Sequence, residues 1–300
     1  MSGQNPKLET PNAKPAAWPP VTCLCPTYGR FERLRDAVAC FLLQDYPGEK
    51  RLLIFNDARS PIIVGARRAV PVSVINAPTR FATLGHKRQA LLEAAQTALV
   101  AHWDDDDLYL PWHITQAVSA LHGAVGASGA KPGAAWWGLG VRECFEVRGP
   151  CHNVFEGQML FDRERALQLG GYPPRISGQA GALLGKFKNA GELHTWNPAD
   201  RDISYVYRWA DGLHHISGSG DNRASHDGFG EKNRDFGAGE PLIPSRNPML
   251  WARARLARQF RQVAMGVLGL TEDAVAIRDR LRLAIEPELR RTEVHHFAPQ

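Results

Sequence analysis

The stretch Leu99–Pro111, LVAHWDDDDLYLP, decides how this chain folds. Leu99–Trp103 has the apolar character of a short buried strand, and it breaks at Asp104 into four consecutive aspartates that no ladder inside a sheet tolerates. The acids therefore stand at a strand's carboxyl end. Adjacent carboxylates repel one another unless hydrogen-bond donors or a cation compensate them. Trp103 before the run and Leu108, Tyr109 and Leu110 after it argue against a freely solvated acidic tract. A hard ion, Mn²⁺ or Mg²⁺, of the kind that bridges protein carboxylates to a diphosphate, suits such oxygens. The plainer alternative is a surface acidic turn capping a helix that starts near Pro111.

Working outward, Val21–Pro26 (VTCLCP) reads as a strand, and Phe31–Leu43 repeats apolar residues at helical spacing through Leu34, Val38, Phe41 and Leu42. Arg51–Asp57 (RLLIFND) and Val72–Ile75 read as further strands, and Gly85–Leu99 as a helix with Leu91, Leu92 and Ala95 inward. Downstream, Pro111–Leu121 reads as a helix and Ala134–Val147 as a strand pair. Gly157–Phe161 should be a strand entering the helix Asp162–Leu169, closed by Gly170 and Gly171. The alternation predicts an α/β fold: a Rossmann-like, mostly parallel central sheet flanked by helices, with ligands outside the carboxyl ends of the strands. Glycine and polar residues from Gly212 to Gly239 predict a mobile loop, and helices near Met249–Val267 and Glu272–Ile285 predict a helical C-terminal appendage. The expected organisation is a flexible leader over 1–20, a domain over 21–240 whose halves are 21–110 and 111–240, and terminal helices over 241–300.

Composition sets outer bounds. The chain has 300 residues, 44% hydrophobic and 22% charged, which excludes wholesale disorder, collagen and a disulfide scaffold. No apolar run approaches the roughly 20 residues of a spanning helix. The polar, proline-rich Met1–Thr22 lacks the apolar centre of a signal peptide, so a cytoplasmic protein is expected. Cys23, Cys25, Cys40, Cys144 and Cys151 show no Cys-x-x-Cys spacing and read as reduced thiols, the first two as small buried hydrophobes. The net charge of +5 concentrates after Pro241, where ten arginines face six acids. Arg253, Arg255, Arg258 and Arg261 would suit either a solvated helix face or peripheral contact with an anionic membrane. No nucleic acid partner is expected.

Four segments in order, Val21–Arg30 (VTCLCPTYGR), Arg51–Asp57, Gly85–Ala90 (GHKRQA) and Asp104–Pro111 (DDDDLYLP), resemble the signatures of family 2 glycosyltransferases of the GT-A fold, with a weaker extension through Glu156–Tyr172. The resemblance implies a metal-dependent transfer of a sugar from a nucleoside diphosphate donor, UDP-linked by preference, to a hydroxyl acceptor on a saccharide, lipid or protein. It places Pro26, Thr27 and Arg30 in the nucleotide pocket and Asp57, beside Asn56, at the base. Lys87 and Arg88 fall near the nucleotide. Asp104 and Asp106 match the D-x-D pair that meets the ribose and holds Mn²⁺ or Mg²⁺, Asp107 is a neighbouring acid, and His215 would approach the metal. Arg208 would pair with a phosphate.

The chain departs from that pattern where the general base is expected. Ser177-Gly178-Gln179-Ala180 stands where the family has Gly-Glu-Asp, and neither Gln179 nor Ala180 accepts a proton at neutral pH. Glu192, Asp200 and Asp202 lie soon after and one could serve, with Asp202 taken as the catalytic candidate beside Asp106 and Asp107; the alternatives are a transfer that retains configuration or a loss of catalysis. Two other readings stand beside the transferase: a nucleotide-sugar-binding protein without turnover, and a sugar-phosphate nucleotidyltransferase, for which Pro26–Arg30 is a poor glycine-rich loop. Trp112, Trp136, Trp137 and Trp209 fall in the acceptor half, where rings stack on sugars or fill core. His86, His102 and His113 read as structural.

Overall fold

The computed structural model describes residues 17–28, 31–59, 61–62, 71–141, 144–152, 156–199 and 202–209. The central sheet contains β1 (Val21–Thr27), β2 (Lys50–Asn56), β3 (Val72–Asn76), β4 (Leu99–His102), β6 (Gly129–Pro132), β9 (Leu160–Asp162) and β10 (Leu193–Trp196). Its order is β10-β6-β9-β4-β1-β2-β3, and only the two pairings made by β9 are antiparallel. This is the mostly parallel sheet that the alternation predicts.

Helices cover both faces. Cys23 and Cys25 point to one face and pack with Leu34, Ala37 and Phe41 of α1 (Phe31–Leu42) and Ile114 and Val118 of α3 (His113–Gly123). Leu24 points to the other, against Leu91 and Leu92 of α2 (Leu84–Ala94) and Leu183 and Phe187 of α5 (Gln179–Asn189). Cys23, Cys25 and Cys40 form no disulfide and are wholly buried, and burial raises the Cys23 thiol far above its usual range.

A smaller sheet forms from β5 (Leu108–Tyr109), β7 (Ala134–Val141), β8 (Cys144–His152) and β11 (Tyr205–Trp209), in the order β5-β11-β7-β8. The expected strand pair is thus the β7–β8 hairpin, whose side chains from Trp136 onward lie outside the description. The short α4 (Arg163–Gln168) is capped by Asp162, whose carboxylate accepts from Arg165 N–H at 2.7 Å. It closes through Gly171 N–H to Ala166 O and Gly170 N–H to Leu167 O, with both glycines at positive φ.

Three boundaries differ from expectation. The helix read through Leu99 ends at Ala94, because Leu99 already pairs with Val21 in the sheet. The helix read from Pro111 begins at His113, after a turn at Pro111 and Trp112. The strand read from Gly157 starts at Leu160. Residues 1–16 of the leader, the glycine-rich segment and both terminal helices lie outside the described residues, as do Arg30, Asp200, His214 and His215. Among the described residues, no helix is long and apolar enough to cross a membrane.

Candidate functional site

The acid run leaves the sheet at the carboxyl end of β4, as the sequence predicts, and every aspartate for which a partner is assigned below is held by a donor from a different element. Thr27, the last residue of β1, donates its hydroxyl to Asp105 at 2.7 Å. Arg88 of α2 meets Asp104 at 2.5 Å. Tyr205 of β11 donates to Asp107 at 2.5 Å. Asp105, Asp106 and Asp107 are buried, while Asp104 keeps about a fifth of its side chain accessible.

Aromatic packing fixes the loop that carries these acids. Trp103 and Tyr109 stack with ring centroids 3.9 Å apart, and the indole N–H of Trp103 reaches Ala37 O at 2.9 Å. The Tyr109 hydroxyl accepts from Asp104 N–H at 2.7 Å and donates to Gly157 O at 3.0 Å, tying the acid loop to the segment before β9. Burial, reinforced by Asp104 and Asp107, keeps the Tyr109 phenol protonated far above its usual range.

The next strand end carries Asp57. Its carboxylate accepts from Lys87 Nζ and from Phe81 N–H, and Lys87 also donates to Thr27 O at 2.9 Å. Adjacent residues of one helix, Lys87 and Arg88, thus answer the acids at the ends of β2 and β4. Burial works against the Arg88 charge, but Asp104 beside it, with Tyr172 and Tyr109, more than offsets this and raises its pKa further. Among the described residues, the buried Arg88 Nε has no hydrogen-bond partner. The tight seat of α2 depends on Gly85, where a Cβ would lie 1.9 Å from Pro173 O.

Among the described residues, the four aspartates, Asp57 and Glu156 bring six carboxylates to this rim, with Lys87, Arg88 and Lys131 beside them. The acids offer hard oxygens. Among the described residues no three His, Cys, Asp or Glu side chains form a metal cage. Asp104 and Asp106 nonetheless fit the mode in which Mg²⁺ or Mn²⁺ takes one or two carboxylates and completes its shell with phosphate oxygens and water.

No protein-family profile matches the chain, and no curated protein matches it. Solved structures do. Staphylococcus aureus TarS 1–349 in complex with UDP-GlcNAc aligns at 15% identity over 93% of this chain and 93% of that one, with a TM-score of 0.52. The fold is that of GT-A glycosyltransferases. A second structure of TarS 1–349 aligns at 14% identity, 93% of each chain and TM-score 0.50. The mannosyltransferase PcManGT from Pyrobaculum calidifontis, in complex with GDP-Man and Mn²⁺, aligns at 16% identity over 92% of this chain and 84% of that one, with TM-score 0.48.

On this GT-A sheet the sequence-predicted residues separate into groups. Pro26, Thr27, Asp57, Lys87, Arg88 and Asp104–Asp107 converge at the carboxyl ends of β1, β2 and β4. Asp202 sits before β11, its backbone carbonyl accepting from Trp112 Nε1 at 3.1 Å and Gln116 Nε2 at 3.0 Å. Glu192 is engaged elsewhere: Arg165 forks onto both its carboxylate oxygens at 2.7–3.1 Å. Gln179 and Ala180 open α5, a helix that the sequence reading did not assign, and its first turn holds no acid.

His86, His102 and His113 are structural, as read. His86 contacts the Thr83 cap, and His113 bonds Ser204 at 2.9 Å. His102 lies between Tyr172 Oη at 2.5 Å and Glu156 O at 2.7 Å. Burial, then repulsion from Arg88, lowers His102 to about 3, so it is neutral, donating from Nδ1 to the carbonyl.

The sequence reading missed Glu156 as a site residue. Its signal is a glutamate followed by Gly157, in a segment that must turn before a buried strand. A Cβ at position 157 would lie 2.6 Å from Tyr205 Oη and 3.0 Å from Asp104 Oδ2. Gly157→Ala is therefore expected to displace both side chains, cost about 1–3 kcal/mol in denaturant unfolding and weaken Mn²⁺-dependent nucleotide binding. Unchanged binding and stability would show that this approach is unimportant.

Proposed function

We propose that the protein transfers a glycosyl group from a nucleoside diphosphate donor to a hydroxyl acceptor. What carries this reading is the convergence of a pinned run of carboxylates with Asp57 and a buried Lys87–Arg88 pair at one edge of the GT-A sheet. Asp57 meets the base of the nucleotide; its two donors leave lone pairs for a further contact. Pro26 and Thr27 line the same pocket, and Lys87 offsets charge beside it. Asp104 and Asp106 hold Mn²⁺ or Mg²⁺ against the donor's diphosphate. When bound, such an ion stabilises the negative charge that develops on the departing phosphate.

A UDP-linked donor is favoured because a structure of TarS 1–349 with UDP-GlcNAc shares this fold, with a TM-score of 0.52. The arginine-rich segment Trp251–Arg261 would let the enzyme meet a lipid-linked acceptor at an anionic surface. Gln179 at the start of α5 favours a second reading, a nucleotide-sugar-binding protein without turnover.

Incubation with UDP-, GDP- and dTDP-linked hexoses and Mn²⁺ tests both readings. Thermal stabilisation together with release of nucleoside diphosphate is the expected result. Stabilisation without release would favour the binding protein, and neither would refute both.

A further inference from the structure

The site has no acid at the first turn of α5, yet a carboxylate from another element lies against that turn. Glu156 lies four residues before β9 begins, and a Cβ on Gly181, in the first turn of α5, would fall 2.7 Å from its Oε1. Its backbone is fixed from two sides. His102 Nδ1 and Met159 N–H both donate to Glu156 O, at 2.7 and 3.2 Å, and the Tyr109 hydroxyl holds the next carbonyl at 3.0 Å.

Its partners distinguish it from the other acids of the rim. Asp57, Asp104, Asp105 and Asp107 each accept from a side chain of another element. The Glu156 carboxylate accepts from its own backbone N–H, with Lys131, Arg88 and Asp104 in electrostatic reach. A group that must take a proton needs an uncommitted oxygen, and it must stand beside the reacting centre rather than under the diphosphate. Glu156 adjoins Asp104 without belonging to the acid run.

We propose that Glu156 is the general base, supplying from the β8–β9 connection the carboxylate that α5 lacks. The proposal rests on the glycosyl-transfer reading. The acceptor oxygen forms its bond to the anomeric carbon as the bond from that carbon to the β-phosphate oxygen breaks. The electron pair of the broken bond leaves with the nucleoside diphosphate, and the hydroxyl proton passes to a Glu156 oxygen. With water as acceptor the same step yields free sugar.

The test compares wild type, Glu156→Gln and Glu156→Asp on a panel of UDP-, GDP- and dTDP-linked hexoses with Mn²⁺. Two quantities are read: nucleoside diphosphate released, and UDP affinity by calorimetry. Glu156→Gln is expected to lose roughly 10²–10⁴-fold in release with UDP affinity unchanged, and Glu156→Asp to exceed it by about tenfold. Wild-type release by Glu156→Gln, equal release by the two variants, or a parallel loss of UDP affinity would overturn the role of Glu156 while leaving glycosyl transfer standing. Absence of release by wild type from every donor would overturn glycosyl transfer itself, and the base with it.

Discussion

Asp106→Asn is expected to lower nucleoside diphosphate release by roughly 10²–10³-fold, the usual cost of removing one group aimed at charge that develops in a transition state. Asn keeps the shape and one oxygen, so the change tests charge. Asp106 is buried in a loop fixed by the Trp103–Tyr109 stack, and the isosteric substitution leaves that stack alone. The thermal midpoint without ligand should therefore move little, while the gain in midpoint from Mn²⁺ plus UDP disappears. A variant that turns over as wild type does would show that Asp106 holds no ion.

Lys87→Met is expected to have the largest effect on folding. Lys87 is 5% and Asp57 7% exposed, so removing the ammonium strands a buried carboxylate and leaves Thr27 O without this donor. Breaking one side of a buried pair costs about 3–5 kcal/mol, which for a domain of this size is a fall of roughly 6–20 °C in Tm. Asp57→Leu in the Lys87→Met background should recover much of that stability, because the stranded charge is then gone. The double variant should still fail to bind UDP if Asp57 meets the base as proposed. Thermal denaturation of wild type and the two variants measures the first effect and calorimetry the second. A loss below about 1 kcal/mol for Lys87→Met would mean that water screens the pair.

What could be read from the sequence follows from how its strands are buried. β1, β2 and β4 lie within a parallel sheet covered on both faces, so they appear as apolar runs, and the break at Asp104 marks where one of them meets the edge. β5 has two residues and β10, Leu193–Trp196, includes polar ones, so neither carries a pattern long enough to read. α5 holds Gly181 and Gly185 and starts after Gly178 at φ 68°, features that resemble a loop.

The site divides in the same way. The aspartates and Asp57 are legible because strand ends in order expose them, but their pairing with Lys87 and Arg88 depends on how α2 seats over the sheet. Those two residues are neighbours on a helix of weak amphipathic pattern, and both are buried where the helix seats closely at Gly85. Glu156 was hidden for a related reason. Its place beside α5 comes from the antiparallel β9, a contact between residues distant in sequence.

A structure of the protein with Mn²⁺ and UDP bound tests the central claim most directly. The expected result is an ion within about 2.0–2.3 Å of carboxylate oxygens of Asp104 or Asp106 and of the diphosphate, with the uracil at Asp57. An ion and nucleotide seated on another face, with Asp104–Asp107 retaining only their protein partners, would contradict it.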